Sequence, residues 1–320
     1  MGQPILKRPK LERFLGDMLE NYPILSVVAG MGYGKTETIR SMLKGMDAVI
    51  AWVRLTEYDN NPVHFWNNFT QAMVPYNAPE VVGFLRSTGM PDGPAQFERY
   101  LEFPDAMIVP GKRYIFVYDD LQLIHSPSVL WFLEKSISAP YKMVRSILLS
   151  QSEPAFSSMR SKASVLRISE EELSFTWEET RDFLLLRGLN LPDESLDLIF
   201  KETAGCPAAL QLIGSFLQES PYFSERRALS AMRASLEGIF EGEIFSRISP
   251  ELSLALEKLA LIETPTLALL HETGIVHETI EKEMKGLSAV LRRNCSSDAY
   301  RIHPLFLDCL RRRKSSLDAA

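Results

Sequence analysis

A glycine-rich turn at residues 29–36 has the residue types and spacing of a phosphate-binding loop. It reads Ala-Gly-Met-Gly-Tyr-Gly-Lys-Thr, follows an apolar run at Ile24–Val28 and opens an amphipathic helix. Closely spaced glycines let successive backbone N–H groups curl around an oxyanion, and a helix start behind them favours negative charge. In such a loop Lys35 reaches the β- and γ-phosphates, and the Thr36 hydroxyl binds Mg²⁺. The predicted nucleotide contacts in this stretch are Gly30, Met31, Gly32, Tyr33, Gly34, Lys35, Thr36 and Glu37.

Two adjacent carboxylates, Asp119 and Asp120, end a second apolar run that begins at Arg113. The run indicates a short buried strand, and a parallel strand delivers its C-terminal residues to the ligand crevice. We predict that Asp119 holds Mg²⁺ through a water molecule. Asp120 would orient or deprotonate the attacking water, with Lys35 as the second catalytic residue. An ordinary strand-end turn is the simpler alternative for the pair.

Length, charge and cysteine content limit the classes of protein to which this chain can belong. A chain of 320 residues exceeds one ordinary core and indicates roughly two domains. Lys and Arg number 35 against 41 Asp and Glu, which argues against a chain that grips nucleic acid or anionic lipid as a whole. The sequence has neither a signal peptide nor an apolar run near the roughly 18 residues of a membrane span. Three cysteines, Cys206, Cys295 and Cys309, lack metal-ligand spacing, so a soluble, cytoplasmic protein without a membrane partner is expected.

The apolar patterns predict an α/β fold in which a P-loop NTPase domain, residues 1–170, has a parallel, doubly wound sheet. Strands alternate with helices, and such alternation gives right-handed crossovers. The segment 75–112 is rich in Pro and Gly and only weakly periodic, apart from a short helical piece around Phe97 and Leu101. The predicted strands are residues 24–28, 48–55, 113–120 and 144–150.

Helical patterns replace strands after about residue 175. Helices predicted at residues 176–186, 192–203 and 207–217 form a helical subdomain at 171–234. From residue 235 to 320 the pattern is that of a winged-helix domain, with short helices, two extended pieces and a final helix. The short helices are predicted at residues 252–261, 266–272 and 277–287, and the extended pieces flank residues 296–298.

Taken in order, these motifs resemble the N-terminal half of a MalT-like, large LuxR-type transcription regulator. Such regulators are signal-transduction ATPases with numerous domains, and the resemblance covers nearly the whole chain. The stretches that carry it are Arg8-Pro9 with Leu11, residues 29–36, Ala51–Leu55 with Asp59-Asn60, Asp119-Asp120, Leu173–Thr176 with Glu178-Glu179, Gly205–Leu210 and Tyr300–Phe306.

The resemblance implies a nucleotide-gated switch. In that family ATP or ADP lies between the P-loop domain and the winged helix. Nucleotide exchange together with binding of a small-molecule or protein inducer converts a closed monomer into an open, self-associating form. Matched by position, Pro207 would pack near the adenine, and Arg8 and Pro9 would line the same pocket. His303 would reach the β-phosphate.

Two of these assignments have a simpler alternative. Proline is common at the first position of a helix because its missing N–H costs nothing there, so Pro207 could serve the helix alone. A single histidine before a proline at a strand-to-helix corner is often only an interior side chain, and His303 is such a residue.

Three positions depart from the family pattern. Ala29 stands where the loop usually begins with glycine, and a small residue suffices there. Glu37 replaces a second hydroxyl residue after Thr36 without affecting binding. Gln151 stands where the family has an arginine that senses the γ-phosphate. Glutamine donates hydrogen bonds but neutralises no charge, so slow hydrolysis is expected.

DNA is not a predicted partner of this stretch of chain. The segment 277–287, at the recognition-helix position, carries three glutamates against two lysines and would repel phosphate. The basic run Arg311–Lys314 is interpreted as a solvated helix end. The family continues into a helical-repeat sensor and a C-terminal helix-turn-helix that binds DNA, so these residues are expected to be a fragment or an unusually short member.

Two other function classes compete with the regulatory switch. One is an enzyme whose turnover is its product, either a small-molecule kinase or an AAA-type remodelling ATPase. The sequence shows no Arg-rich lid for a kinase, and Gln151 argues against a remodeller. The other is a scaffold that holds nucleotide permanently as a structural cofactor.

Overall fold

A computed structural model describes residues 6–74, 79–107, 113–139, 143–154, 156, 165–219, 224–262, 265–272, 274–287, 290–293 and 299–317. The chain divides into two compact units. One, the sheet unit, comprises Lys7–Ala29 and Lys35–Glu172. The other, the helical unit, comprises Met1–Leu6, Gly30–Gly34 and Leu173–Ala320.

The sheet unit is built on a five-stranded sheet in the order β2-β3-β4-β1-β5, and every strand pairing is parallel. All five residues of β1 are buried, as expected for a parallel strand covered on both faces. Parallel register aligns the strand ends, so Arg54 lies beside Asp119 and Val28 beside Ser150. The strands are β1 (Ile24–Val28), β2 (Ala48–Arg54), β3 (Arg113–Asp119), β4 (Val144–Ser150) and β5 (Val165–Ile168).

Helices of the sheet unit bury an aromatic cluster against the strands. Phe65, Phe69 and Phe132 are all at most 1% exposed, and the rings of Phe65 and Phe132 meet edge to face at 5.8 Å. Each buried phenylalanine stabilises the fold by about 1.5–3 kcal/mol. The helices are α1 (Pro9–Asn21), α2 (Lys35–Leu43), α3 (Pro62–Met73), α4 (Pro79–Thr88), α5 (Pro94–Met107) and α6 (Pro127–Ile137), and one turn, α7 (Glu170–Leu173), contains the last residue of the unit, Glu172.

In the helical unit, eight helices are described together with one antiparallel two-stranded sheet. The two strands pair Leu291 with Ile302 and Arg293 with Tyr300. The elements are α8 (Trp177–Leu186), α9 (Asp193–Thr203), α10 (Pro207–Glu219), α11 (Glu225–Glu243), α12 (Pro250–Leu259), α13 (Leu267–Glu272), α14 (Glu278–Lys285), β6 (Leu291–Arg293), β7 (Tyr300–Ile302) and α15 (Pro304–Leu317).

The α/β prediction is confirmed for the sheet, since the four predicted strands are present within one residue of their ends. Five of the numbered elements were not predicted: β5, α4, α6, the single turn α7 and the 19-residue helix α11. Helix α5 extends the short helical piece expected near Phe97. The predicted turn at residues 296–298 and Cys295 lie outside the described residues. No helix in the described part of the chain has the length and apolar character needed to span a membrane.

Candidate functional site

The glycine loop needs glycine at positions 32 and 34 because of its backbone conformation, and at position 32 also for lack of space. Gly32 has φ +87° and Gly34 has φ +73°, a backbone region that strains residues with a side chain. A Cβ on Gly32 would also stand 2.6 Å from the Cβ of Ala208, whereas one on Gly34 would meet nothing within 4 Å. The N–H of Ala208 donates to the Gly32 carbonyl at 3.2 Å. Within the helical unit, residues 30–34 are therefore packed closely on the first turn of α10.

Tyr33 of the loop contacts His303 in the same unit. The two rings meet edge to face with centroids 5.4 Å apart, and the residues are 3% and 8% exposed. His303 Nδ1 accepts a hydrogen bond from the N–H of Leu305 at 3.2 Å, so the ring N–H is on Nε2. The histidine is thus a buried neighbour of the glycine loop. Its predicted role toward a β-phosphate stays a prediction.

Lys35 and Ala29, which flank the loop and belong to the sheet unit, are joined by a hydrogen bond. The Lys35 ammonium donates to the carbonyl of Ala29 at 2.7 Å. Ala29 is fully buried, and its N–H donates to the Ser150 carbonyl at 3.2 Å, which continues the pairing of β1 with β4. This burial explains why only a small residue fits at position 29.

Asp119, at the end of β3, holds both of its carboxylate oxygens in hydrogen bonds. Oδ1 accepts from the Thr36 hydroxyl at 3.1 Å, and Oδ2 accepts from the indole N–H of Trp52 at 3.3 Å. Burial raises the pKa of Asp119, as does the charge of Asp120, while these two hydrogen bonds and Arg54 lower it in part. A charged carboxylate that is only 3% exposed would be stabilised by a nearby cation.

These oxygen donors fit Mg²⁺. A hydroxyl and a carboxylate side by side are the hard ligands that this ion prefers, and Mg²⁺ usually takes its other ligands from phosphates and water. In the described residues no group of three or more His, Cys, Asp and Glu could hold a metal alone. An Mg²⁺ at Thr36 and Asp119 would therefore take its remaining ligands from phosphate and water.

Asp120 has an unusual backbone and a set of polar partners. Its φ of +63° and ψ of +38° place it in the left-handed region, which non-glycine residues seldom occupy and Asp tolerates better than most. Oδ1 accepts from the Gln122 amide at 3.1 Å, and Arg54 Nε lies 3.8 Å from Oδ2. The other end of Gln122 accepts from the N–H of Gln151 at 3.0 Å. The backbone N–H of Gln151 is thus linked to the Asp120 carboxylate through the side chain of Gln122. The sequence did not single out Gln122.

Asn60 fixes the chain that follows the carboxylates. Its amide donates to the carbonyl of Leu123 at 2.9 Å, and its oxygen accepts from the N–H groups of His125 and Ser126 at 2.7 and 2.9 Å. From the sequence, Asn60 was noted only among the stretches that resemble the family. The structure gives it a positioning role for residues 123–126.

The other predicted contacts are divided between the two units. Arg8, 8% exposed, donates to the carbonyl of Glu172 at 3.4 Å in the sheet unit, and Pro9 is the first residue of α1. Pro207 is the first residue of α10 in the helical unit. Their predicted roles around an adenine remain predictions. In the loop region, Met31 is 57% exposed, and Glu37 pairs with Arg40 at 3.6 Å.

The turn before Pro207 has its own structural requirement. Gly205 has φ +70°, and a Cβ there would stand 2.2 Å from the carbonyl oxygen of Phe175. The N–H of Phe175 donates to the Gly205 carbonyl at 2.9 Å. Glycine at this position is therefore needed by the fold, whatever the role of the proline.

Comparison with known proteins confirms the resemblance to MalT-like regulators. The chain is 25% identical over 324 residues to the HTH-type transcriptional regulator MalT of Cronobacter sakazakii, with 94% of this chain aligned. It spans 35% of the length of that relative. No family model matches the chain.

Two solved structures share the fold. A Walker-type ATPase of Pyrococcus abyssi superposes with a TM-score of 0.67 at 15% identity, over 96% of each chain. A signal transduction ATPase with numerous domains and a tetratricopeptide repeat sensor, from Pyrococcus horikoshii, gives a TM-score of 0.52 at 14% identity, over 97% of this chain and 43% of that one. The chain thus has an α/β P-loop NTPase fold, as predicted.

Proposed function

We propose that this chain is the ATP- or ADP-binding switch module of a MalT-like transcription regulator. The observation that carries the proposal is the hydrogen bond between Thr36 and Asp119 at 3.1 Å. It brings the residue after the loop lysine to a buried carboxylate at the end of a parallel strand, where this fold class binds ligands. The similarity to MalT and to two ATPases supports the same assignment.

In this proposal each side chain has a defined task toward the nucleotide. Residues 30–34 offer backbone N–H groups to the phosphates, and Lys35 leaves the Ala29 carbonyl to bind the β- and γ-phosphates. Thr36 and Asp119 hold Mg²⁺, which when bound neutralises phosphate charge. Asp120 orients or deprotonates the attacking water. Gln151 donates hydrogen bonds without adding charge, so hydrolysis is slow and serves to reset the switch.

The regulatory part of the proposal follows from linkage. A nucleotide shifts a conformational equilibrium only if its affinities for the two conformations differ. We propose that nucleotide exchange, together with an inducer bound by another part of a longer protein, controls self-association. DNA would be contacted through a helix-turn-helix outside residues 1–320. The proposed organisation is an NTPase domain (1–170), a helical subdomain (171–234) and a winged-helix domain (235–320), and the second boundary lies within the continuous helix α11.

Thermal unfolding with and without nucleotide tests the binding site. A ligand at one hundred times its Kd stabilises a protein by about 2.7 kcal/mol. We expect Mg²⁺ and ADP to raise the melting temperature of the unchanged chain, and Lys35→Ala to abolish this rise. The matched control is Lys44→Ala, which removes an exposed lysine just after α2 and should leave the rise intact. An equal rise in Lys35→Ala would overturn the assignment of the loop.

A phosphate-release assay separates the switch from an enzyme whose turnover is its product. The polar partners of Asp120 would serve either function. Working enzymes typically turn over at about 1–1000 per second. We expect turnover well below about one per second for a reset step, and a faster rate would favour a kinase or remodelling ATPase. Nucleotide that co-purifies and never exchanges would favour the scaffold.

A further inference from the structure

Trp52 donates a hydrogen bond to Asp119 but has no role in the proposed mechanism. It lies on β2 opposite Val117 of β3, two residues before the strand ends. Its ring is half-buried, and its indole N–H donates to Asp119 Oδ2 at 3.3 Å. The guanidinium of Arg40, on α2, lies over the ring at 5.2 Å from its centroid.

We propose that Trp52 is a positioning residue for the Mg²⁺ ligand Asp119. Thr36 holds Oδ1 and Trp52 holds Oδ2, so the carboxylate is restrained from both sides against rotation. The proposal rests on the proposed function, because it concerns the metal that accompanies the nucleotide there.

The chemistry of indole suits this task. Its N–H is a donor with no acceptor of its own, so the ring holds the carboxylate but does not compete with it for the metal. A carboxylate has about four acceptor positions, so the two hydrogen bonds leave others for Mg²⁺ or its water. Partners that orient a metal ligand typically change metal affinity by about 10–100-fold when removed.

The contact with Arg40 explains how the ring keeps its orientation. A guanidinium over the face of a tryptophan is attracted to the ring's π-electrons. Arg40 is on α2, the helix that begins with Lys35 and Thr36. The ring that holds Oδ2 therefore contacts the same helix whose Thr36 hydroxyl holds Oδ1. Both restraints on the Asp119 carboxylate are linked through α2.

The test is the variant Trp52→Phe, which keeps an aromatic ring and removes the N–H. ADP affinity is measured by calorimetry with EDTA and then over a series of Mg²⁺ concentrations. We expect unchanged ADP affinity without Mg²⁺ and an increase of about tenfold in the Mg²⁺ concentration needed for half-maximal enhancement. The control, Trp131→Phe, removes a half-buried tryptophan on α6 and should match the unchanged chain.

A spectroscopic measurement leaves Trp52 in place and covers the case in which Trp52→Phe unfolds. In the double variant Trp131→Phe/Trp177→Phe, the remaining tryptophans are Trp52 and the buried Trp66. Adding Mg²⁺ to its ADP complex should change tryptophan emission. The absence of any change would overturn the positioning role of Trp52.

The outcomes distinguish this inference from the proposed function. If the unchanged chain binds ADP with a clear Mg²⁺ dependence and Trp52→Phe shows the same dependence, the inference alone fails. If the unchanged chain binds no nucleotide under either condition, the proposed function fails and the inference with it.

Discussion

Ionisable groups in the two units have different surroundings, as Asp119 and the arginines of α15 show. In the sheet unit, Asp119 is buried beside a second carboxylate, and both its burial and Asp120 raise its pKa. In the helical unit, carboxylates pair with arginines of α15: Arg313 Nε lies 3.4 Å from Glu257, and Arg312 Nη1 lies 2.7 Å from Glu237. The charge of Asp119 therefore destabilises the ligand-free fold, whereas the charges of Arg312 and Arg313 join helices.

This difference shows which charges need a ligand to explain them. A buried carboxylate next to another one is stabilised when a cation binds, and sites of this kind are often retained at some expense of stability. Helix contacts made by Arg312 and Arg313 need no ligand. Arg311 is exposed, as the interpretation of residues 311–314 as a solvated helix end predicts, although it also donates to the carbonyl of Ala260 at 3.1 Å. Arg312 and Arg313 are only partly exposed and pair with carboxylates.

Replacing Arg313 should break the pairing in the helical unit. Its guanidinium pairs with Glu241 and Glu257 and lies 4.2 Å from the ring centre of Phe245. Arg313→Met would leave Glu257, only 9% exposed, with an uncompensated charge. Because Arg313 is about one-third exposed, with a side-chain exposure of 33%, we expect a loss of about 2 kcal/mol in the free energy of unfolding, less than for a fully buried pair.

Urea unfolding measures this loss. The control is Lys258→Met, which replaces an exposed lysine in the last turn of α12 and should change stability by less than about 0.5 kcal/mol. Equal effects of the two substitutions would contradict the account of the helical unit.

The buried thiol of Cys309 should make the folding stability of the chain depend on pH. Burial raises the pKa of its thiol to about 11, from an ordinary value of 9.0, and the charge of Glu237 acts in the same direction. Below pH 9 the thiol is neutral in both folded and unfolded chains. Between pH 9 and 11 only the unfolded chain loses the proton, so folding stability falls as pH rises, by about 1–2 kcal/mol.

The contribution of Cys309 is the difference between the unchanged chain and Cys309→Ala, because other groups titrate in the same range. We expect the variant to lose less stability between pH 9 and 11 in urea unfolding. Parallel pH profiles would show that the thiol is not the group responsible.

Asp119→Asn gives the smallest change in stability and should have the opposite sign. The substitution removes a buried charge beside Asp120, keeps an oxygen that accepts from Thr36 and loses the acceptor for Trp52. We expect the ligand-free free energy of unfolding to rise by about 0.5 kcal/mol, while Mg²⁺-dependent ADP binding is lost. A loss of more than about 1 kcal/mol would place Asp119 among groups that stabilise the fold.

The sequence predicted the central sheet because buried parallel strands are continuous apolar runs. It did not predict α4 or the full length of α5, since the prolines of segment 75–112 suggested breaks. Pro79 and Pro94 are in fact the first residues of these helices, the position where proline is favoured. Helix α11 was missed because Gly238 and Gly242 interrupt its pattern, although a Cβ at either position would meet nothing within 4 Å.

Only those parts of the site that consist of residues adjacent in sequence could be predicted. Spacing alone identified the glycine loop and the adjacent carboxylates, because backbone geometry imposes those patterns. The contacts of Trp52, Gln122 and Asn60 depend on the order of the strands in the sheet and on side-chain rotamers. Neither can be inferred from spacing in the sequence. The apolar residues of α1 show the same limit: their helical spacing puts Phe14 on one stripe with Leu15 and Leu19, but Phe14 is 43% exposed, whereas Leu15 and Leu19 are buried.

The central claim is that the chain binds a nucleotide through the loop that ends in Lys35 and Thr36. Its most direct test is calorimetric titration of nucleotide-free chain with ADP in the presence of Mg²⁺, for the unchanged sequence and for Lys35→Ala. We predict one saturable site per chain in the first case and no measurable binding in the second. Equal affinity for both proteins, or no binding by the unchanged chain, would contradict the account.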